Sequence, residues 1–331
     1  QDAVGTRENP IAIPGICGIK IFMGVSTGTL LVSDKSALER IFTETAGLIA
    51  VHAEDEDRMN ERRKLVEGRT DVAAHAFYRD DITALLATKL SVELAHKTGH
   101  RLHILHLTSG IEADFLTDHC NLPSKTEGHP IITTEVLPQH LTFDETDVDE
   151  QGVRLQMNPP IRYKMDREIL WKRLIDGTIQ CIATDHAPHT LEAKAKGFPN
   201  APSGMPGVET SLAVMLNYVN QGKCSIEDVV RWMSSNVADC YRMIGKGKLE
   251  VGYDGDIVLV DMNHSAVVED ENSWTRVGWN PFRGRKLTGW PVLTVVEGIP
   301  VFERSAGTGQ KGRLLVEPGA VGKPLLMEPW K

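Results

Sequence analysis

The chain has no Cys-x-x-Cys pair, no basic cluster and no apolar run long enough to span a membrane. Its five cysteines, at positions 17, 120, 181, 224 and 240, form an odd and scattered set. Such a set does not build a disulfide framework or a cysteine-ligated metal site, and it fits a reduced compartment, the cytoplasm. A formal net charge of −9 with no basic cluster argues against a nucleic-acid partner. The missing apolar run argues against a membrane partner. A P-loop is absent as well: Gly24-Val-Ser-Thr-Gly28 lacks its lysine and spacing, and reads as a loop at the mouth of a sheet. No internal repeat occurs. The 331 residues suffice for a large core in one or two domains.

Against these absences stands Ile179-Gln-Cys-Ile-Ala-Thr-Asp-His-Ala-Pro-His189. An apolar run ends in one carboxylate, Asp185, followed by His186 and His189. Taken alone, it is a strand followed by a polar turn, or a strand delivering groups that bind a metal and move protons. Chemistry in (β/α)8 barrels sits at the C-terminal ends of the strands. Three further apolar runs carry the same kind of residue. Gly18 to Met23 holds Lys20, Leu48 to Ala53 ends on His52 with Glu54 and Asp55 beyond, and Leu102 to Thr108 holds His103 and His106. Buried parallel strands read as short continuous apolar runs, so a lone Lys or His in each is anomalous. Four such residues near strand ends argue for one shared site.

His, His and Asp form the imidazole and carboxylate set that suits Zn²⁺ or a similar ion. A lysine ammonium cannot ligate a cation, although a lysine carbamate can. From its own strand alone, Lys20 reads as a salt-bridge partner, and a buried lysine is costly unless paired or chemically changed.

Several motifs resemble those of the dihydroorotases, cyclic amidohydrolases of the amidohydrolase superfamily. Gly18-Ile-Lys-Ile-Phe-Met-Gly24 resembles the strand with a carboxylated lysine, and Val51-His-Ala-Glu54 and His103-Ile-Leu-His106 resemble the next two ligand strands. Thr133 to Leu141, Met157-Asn-Pro-Pro-Ile-Arg162, Thr184-Asp-His-Ala-Pro-His-Thr190 and Gly204-Met-Pro-Gly-Val-Glu209 follow in the family's order. The resemblance implies an α/β fold, a (β/α)8 TIM-type metallo-hydrolase barrel with a small β-sandwich portion. It also implies two zinc ions, with Lys20 (as a carbamate), His52, His106 and Asp185 as ligands. Asp185 would be the proton carrier, and Asn158, His189, Pro206 and Gly207 would contact the substrate. The reaction implied is reversible hydrolysis of dihydroorotate to N-carbamoyl-aspartate in pyrimidine biosynthesis.

Two departures bear on this. The family's first strand carries a His-x-His pair, and no His-x-His occurs here. The strand candidates near residues 16–23, 48–53, 102–108, 131–137 and 179–185 then correspond to strands four to eight. The expectation is the C-terminal portion of a longer chain, inactive alone, with two open sheet edges. Its partners would be the missing N-terminal part, a second copy as a homodimer, or aspartate transcarbamoylase, for which it could instead be a non-catalytic structural partner. The second departure is Gln139, where many dihydroorotases have histidine and hydantoinases often have glutamine. It keeps a hydantoinase or allantoinase open.

Helical patterns are expected over Asp34 to Thr45, Asp81 to Lys97, Asp166 to Asp176, Val208 to Gln221 and Ser225 to Met243, with Gly99, Gly177 and Gly222 as stops. After this the pattern becomes strand-like, at Gly252 to Asp261 and from Trp290 to Phe302 with Gly298 in the turn. Residues 1–245 are expected to form the partial barrel and 246–331 the β-sandwich portion with an extended tail. The loop from Gly197 to Gly207 reads equally as a surface connection or a substrate-facing loop.

Overall fold

The computed structural model of the chain describes residues 4–11, 13, 15–26, 30–120, 132–305 and 311–328. Thr27 and Gly28 of the glycine-rich loop, residue 131 of the fourth strand candidate and part of the C-terminal tail lie outside the described residues.

Five short apolar runs form a parallel sheet whose spatial order follows the chain: β1 (Gly18–Phe22), β2 (Leu48–His52), β3 (Leu102–Ile104), β4 (Ile132–Val136) and β5 (Cys181–Ile182). Parallel neighbours need a crossover, and helices supply it. Lys35–Glu44 starts at Asp34, whose carboxylate accepts from the Ala37 amide at 2.8 Å. Asp81–Thr98 starts at Asp80 and ends at Gly99, which takes φ 65°, a left-handed value natural to glycine. Gly110–Leu116 and Lys164–Ile175 follow β3 and β4.

Pairing of residues sets the two faces of the sheet. Lys20 lies opposite Ala50, Ala50 opposite His103, and His103 opposite Thr133. Alternation along each strand puts Phe22, His52 and Glu135 on this same face. Ile49, Val51, Leu102, Ile104, Ile132 and Val136 occupy the other face and are fully buried in the main core. Ordered pairing stops earlier than expected for the third and fifth strands, at Ile104 and Ile182. The chain turns there because His106 and Asp185 adopt φ 38° and 40°.

One expectation is corrected at β1. Lys20 is exposed rather than buried. It lies on an edge strand, and no described strand pairs with the free side of β1 to cover it. The helix expected over Ser225 to Met243 is present in three parts: Ile226–Val230, a π-helical turn over Arg231–Ser235, and Asn236–Tyr241. The shorter helices Glu56–Arg63 and Ala73–Tyr78 were not foreseen.

The second sheet is antiparallel: β6 (Ile257–Val267), β7 (Lys286–Val296), β8 (Ile299–Glu303) and β9 (Arg313–Leu314). The hairpin between β7 and β8 turns on Glu297 and Gly298, both at positive φ (51° and 80°), the geometry that matches strand twist. Beside this sheet, the helix Ser211–Asn220 packs so close to β7 that a Cβ on Gly289 would stand 2.7 Å from that of Leu216. Ala266, Leu287 and Trp290 therefore join the same hydrophobic core as the parallel sheet. The C-terminal segment returns to the first part of the chain, with the Gly15 amide donating to Leu325 O at 2.8 Å and the Ile244 amide to Leu326 O at 2.8 Å.

Candidate active site

His52 closes β2 and is 1% exposed. Its Nδ1 faces Nε2 of His106 at 3.1 Å, and its Nε2 lies 2.9 Å from Oε2 of Glu54. The two rings meet edge to face, with centroids 4.9 Å apart. A carboxylate only accepts, so the proton of His52 sits on Nε2 and Nδ1 is left as a bare lone pair. Two ligands on one tetrahedral zinc, each about 2.0–2.1 Å from it, stand roughly 3.3 Å apart. The observed spacing of the two ring nitrogens fits that demand. His106 Nδ1 is buried with no hydrogen-bond partner among the described residues. Burial lowers the His106 pKa to about 3, so its ring is neutral and able to ligate.

Asp185 follows β5 and is half-buried. Burial raises its pKa, opposed by Lys20 and His52, so these groups share one field. Among the described residues, no three His, Cys, Asp or Glu side chains stand close enough together to hold a metal ion. The chain thus offers a histidine pair that fits an ion, with Asp185 and Lys20 farther out. Lys20 makes no ion pair among the described residues, and its Nζ lies over the Phe22 ring, 4.6 Å from the centroid. The salt-bridge reading of this lysine finds no described partner.

Glu54 is fully buried and forms an ion pair with Arg79. Burial would raise its pKa, but the Arg79 charge and the His52 hydrogen bond outweigh that and hold it at about 2. Arg79 also donates from Nη2 to Val25 O at 2.5 Å and from Nε to Tyr78 Oη at 3.0 Å. The Arg79 carbonyl accepts from Arg162 Nη1 at 2.5 Å, and Arg162 Nε reaches Thr108 Oγ1 at 2.8 Å. The loops after β1, β2 and β3 are thereby tied together.

His103 lies within β3 on the same face of the sheet as His52. It contacts Thr133 Oγ1 at 2.8 Å, Glu135 Oε2 at 3.0 Å and Cys240 Sγ at 3.4 Å. Burial opposes its charge, but Cys240 and Glu135 raise its pKa to about 10. The other Glu135 oxygen accepts from the His106 amide at 3.3 Å, which links this layer to the histidine pair.

Beside the pair, rather than around it, opens a cleft of about 680 Å³ lined by Val25, Ser26, His75, Arg79, Asn158 and Ser203 among others. His75 Nε2 donates to Asn158 Oδ1 at 3.0 Å, which fixes the amide so that its NH₂ end points to Ser26 Oγ, 3.5 Å away on the wall of the cleft. Burial and the nearby Arg79 lower the His75 pKa to about 3. His189 is half-buried, with Nε2 3.2 Å from Ser203 O, and the Trp279 indole donates to its carbonyl at 2.7 Å. Pro206 and Gly207 are buried against the Thr184–His189 segment, where the Gly207 amide donates to His186 Nδ1 at 3.1 Å. Of the residues singled out from sequence, His52 and His106 come into contact. Asp185 lies in their field, Asn158 lines the cleft, and His189, Pro206 and Gly207 form its neighbouring loops. His75 and Arg79 were missed, since they sit on a helix of six residues and at its end, too short for a periodic pattern.

A sequence model described as the Amidohydrolase family matches residues 18–301. A dihydroorotase of Halobacterium salinarum is 33% identical over 299 residues, covering 89% of this chain and 67% of the relative. A dihydroorotase of Pyrococcus horikoshii is 32% identical over 303 residues, covering 91% and 64%. Among solved structures, the L-hydantoinase (dihydropyrimidinase) of Arthrobacter aurescens superposes with a TM-score of 0.82 at 29% identity, covering 92% of this chain and 67% of that one. The dihydropyrimidinase of Brevibacillus agri does so at 0.77 and 28%, covering 87% and 64%. The chain spans about two thirds of the length of these relatives.

Proposed function

Because this chain belongs to the amidohydrolase family, we propose that it carries part of the active site of a dihydroorotase, which opens and closes the cyclic amide of dihydroorotate, with N-carbamoyl-aspartate as the open form. The observation that supports this most is the facing pair of nitrogens, His52 Nδ1 and His106 Nε2, with Asp185 in the same field. These nitrogens, with Asp185 and a carbamate on Lys20, would hold zinc, which when bound polarises a carbonyl and lowers the pKa of water. Asp185 takes the proton of the attacking water and returns it to the leaving nitrogen, which is base and then acid work. Its burial-raised pKa suits a group that must hold the proton between the two steps. The Asn158 amide and His189 hold the substrate's carboxylate or ring edge, and the cleft beside the pair receives it. Pro206 and Gly207 form the wall under His186. The barrel is completed by strands outside the five described here, and the whole enzyme works in the cytoplasm as a homodimer or beside aspartate transcarbamoylase.

A hydantoinase is the second reading, favoured by the solved structures and by Gln139, whose Nε2 donates to Thr184 O at 2.9 Å directly before Asp185. Turnover of dihydroorotate, hydantoin and allantoin by the complete gene product, loaded with zinc, separates them. Dihydroorotate is expected to have the highest kcat/KM. Preferred turnover of hydantoin would move the assignment to the second reading. No turnover of any of the three, with no zinc retained, would point to the non-catalytic partner.

A further inference from the structure

We propose that Glu54 and Arg79 are positioning residues for His52: their buried pair dictates which ring nitrogen carries the proton and so presents the other, Nδ1, toward His106. The proposal rests on the reading of His52 and His106 as ligands only for what Nδ1 then does.

His52, Glu54 and Arg79 are all at most 2% exposed, so water cannot satisfy their polar atoms. A carboxylate removed from water needs cationic or N–H partners, and an isolated one is strongly disfavoured. Glu54 Oε2 receives two donors, the Arg79 guanidinium and the 2.9 Å contact from His52 Nε2. With the carboxylate held charged by Arg79, it can only accept, and the His52 proton is drawn to Nε2. A histidine that ligates through one nitrogen usually donates from the other to a carboxylate or carbonyl, which fixes both tautomer and ring orientation.

Arg79 does not move freely. It is anchored to Val25 O after β1 and to Tyr78 Oη, while Arg162 donates to its carbonyl and reaches Thr108 after β3. The His52 ring is therefore set by a rigid relay that crosses three strand ends, and that relay also forms a wall of the cleft through Val25 and Arg79. A purely structural salt bridge would need no histidine on the shared oxygen.

The test is ¹⁵N NMR of the imidazole rings in the histidine-labelled full chain without added metal, with His52 assigned from His52→Gln, followed by zinc affinity from competition with a chromophoric chelator. Wild-type His52 should show the Nε2-protonated pattern. Glu54→Gln retains an acceptor oxygen and should retain that pattern. Glu54→Leu combined with Arg79→Met removes acceptor and cation together; it should give a mixture of tautomers and zinc affinity lower by about 10–100-fold. A wild-type His52 protonated on Nδ1 overturns the proposal, and this reading needs no variant, so it stands even if the double variant fails to fold by circular dichroism. A folded double variant with wild-type ring signals and wild-type zinc affinity overturns it too. If the tautomer shifts as expected but the wild-type chain takes up no zinc, the positioning role holds and the metal reading falls.

Discussion

His106 and Asp185 share a backbone conformation that residues with a Cβ rarely adopt, with φ of 38° and 40°. Each costs on the order of 1–3 kcal/mol, and such residues cluster where a site needs a side chain aimed against the run of the chain. Here the turn takes each out of its strand and into the interior of the sheet. Asp185 can be tested separately from the fold, because it is half-buried and has no hydrogen bond to break among the described residues. Asp185→Asn keeps the shape and removes the proton-accepting charge. In the complete gene product, its kcat on dihydroorotate should fall by about 10²–10⁴-fold with an unchanged melting temperature. A rate within roughly threefold of wild type, by the same standard, would remove Asp185 from the proton path.

At the scale of elements, the segment after β5 is held by the loop that follows it. Ala187 and Met205 pair through their backbones, and Gly207 lies so close to Thr184 that an added Cβ would stand 2.6 Å from its carbonyl oxygen and 2.8 Å from Gln139 Nε2. Neither neighbour has room to retreat, since Gln139 is itself bonded to Thr184 O. Gly207→Ala should therefore push the segment bearing Asp185 and His189. The expected cost is about 1–3 kcal/mol, typical of overpacking, read from urea unfolding, together with a larger loss of kcat/KM than of stability would explain. An alanine variant of wild-type stability and rate would show that the loop does not brace the site.

The molecule as a whole buries several neutral imidazoles. Burial lowers the pKa of His75 to about 3, of His100 to about 4 and of His140 to about 3. In the unfolded chain these groups return to the ordinary value of about 6.5. Below that pH the unfolded chain binds protons that the native state refuses, so the unfolded state is favoured as pH falls. Their contribution is complete above pH about 6.5 and is lost progressively down to the folded values. Glu54 acts in the same direction lower down: with a folded pKa of about 2, its stabilisation is present above its ordinary value and lost as pH falls through the folded one. Between pH 7.5 and 5.5 the three histidines together should remove on the order of 4 kcal/mol, read as a falling urea midpoint. His103 and Glu112, whose folded pKa values are raised to about 10 and about 7, act in the opposite direction and offset part of this fall. A midpoint that rises as pH falls over that interval would therefore mean that the three rings are protonated in the native state.

Much of this was legible in the residues because it is locally encoded. Apolar runs of four to six residues mark the strands, aspartates open the helices at Asp34 and Asp80, and polar groups stand out at the ends of buried runs, as at His52, His106 and Asp185. Gly298 announced its hairpin since few other residues take that turn. What no local pattern carries is which polar groups meet. The His52–His106 contact joins residues 54 apart, Glu54–Arg79 25 apart and His75–Asn158 83 apart. Burial of Lys20 depended in the same way on what covers the free side of β1, and no described strand pairs there. Hydrophobic periodicity specifies which face of an element is covered, but a hydrogen bond between distant side chains is specified only by the packing that brings their backbones together.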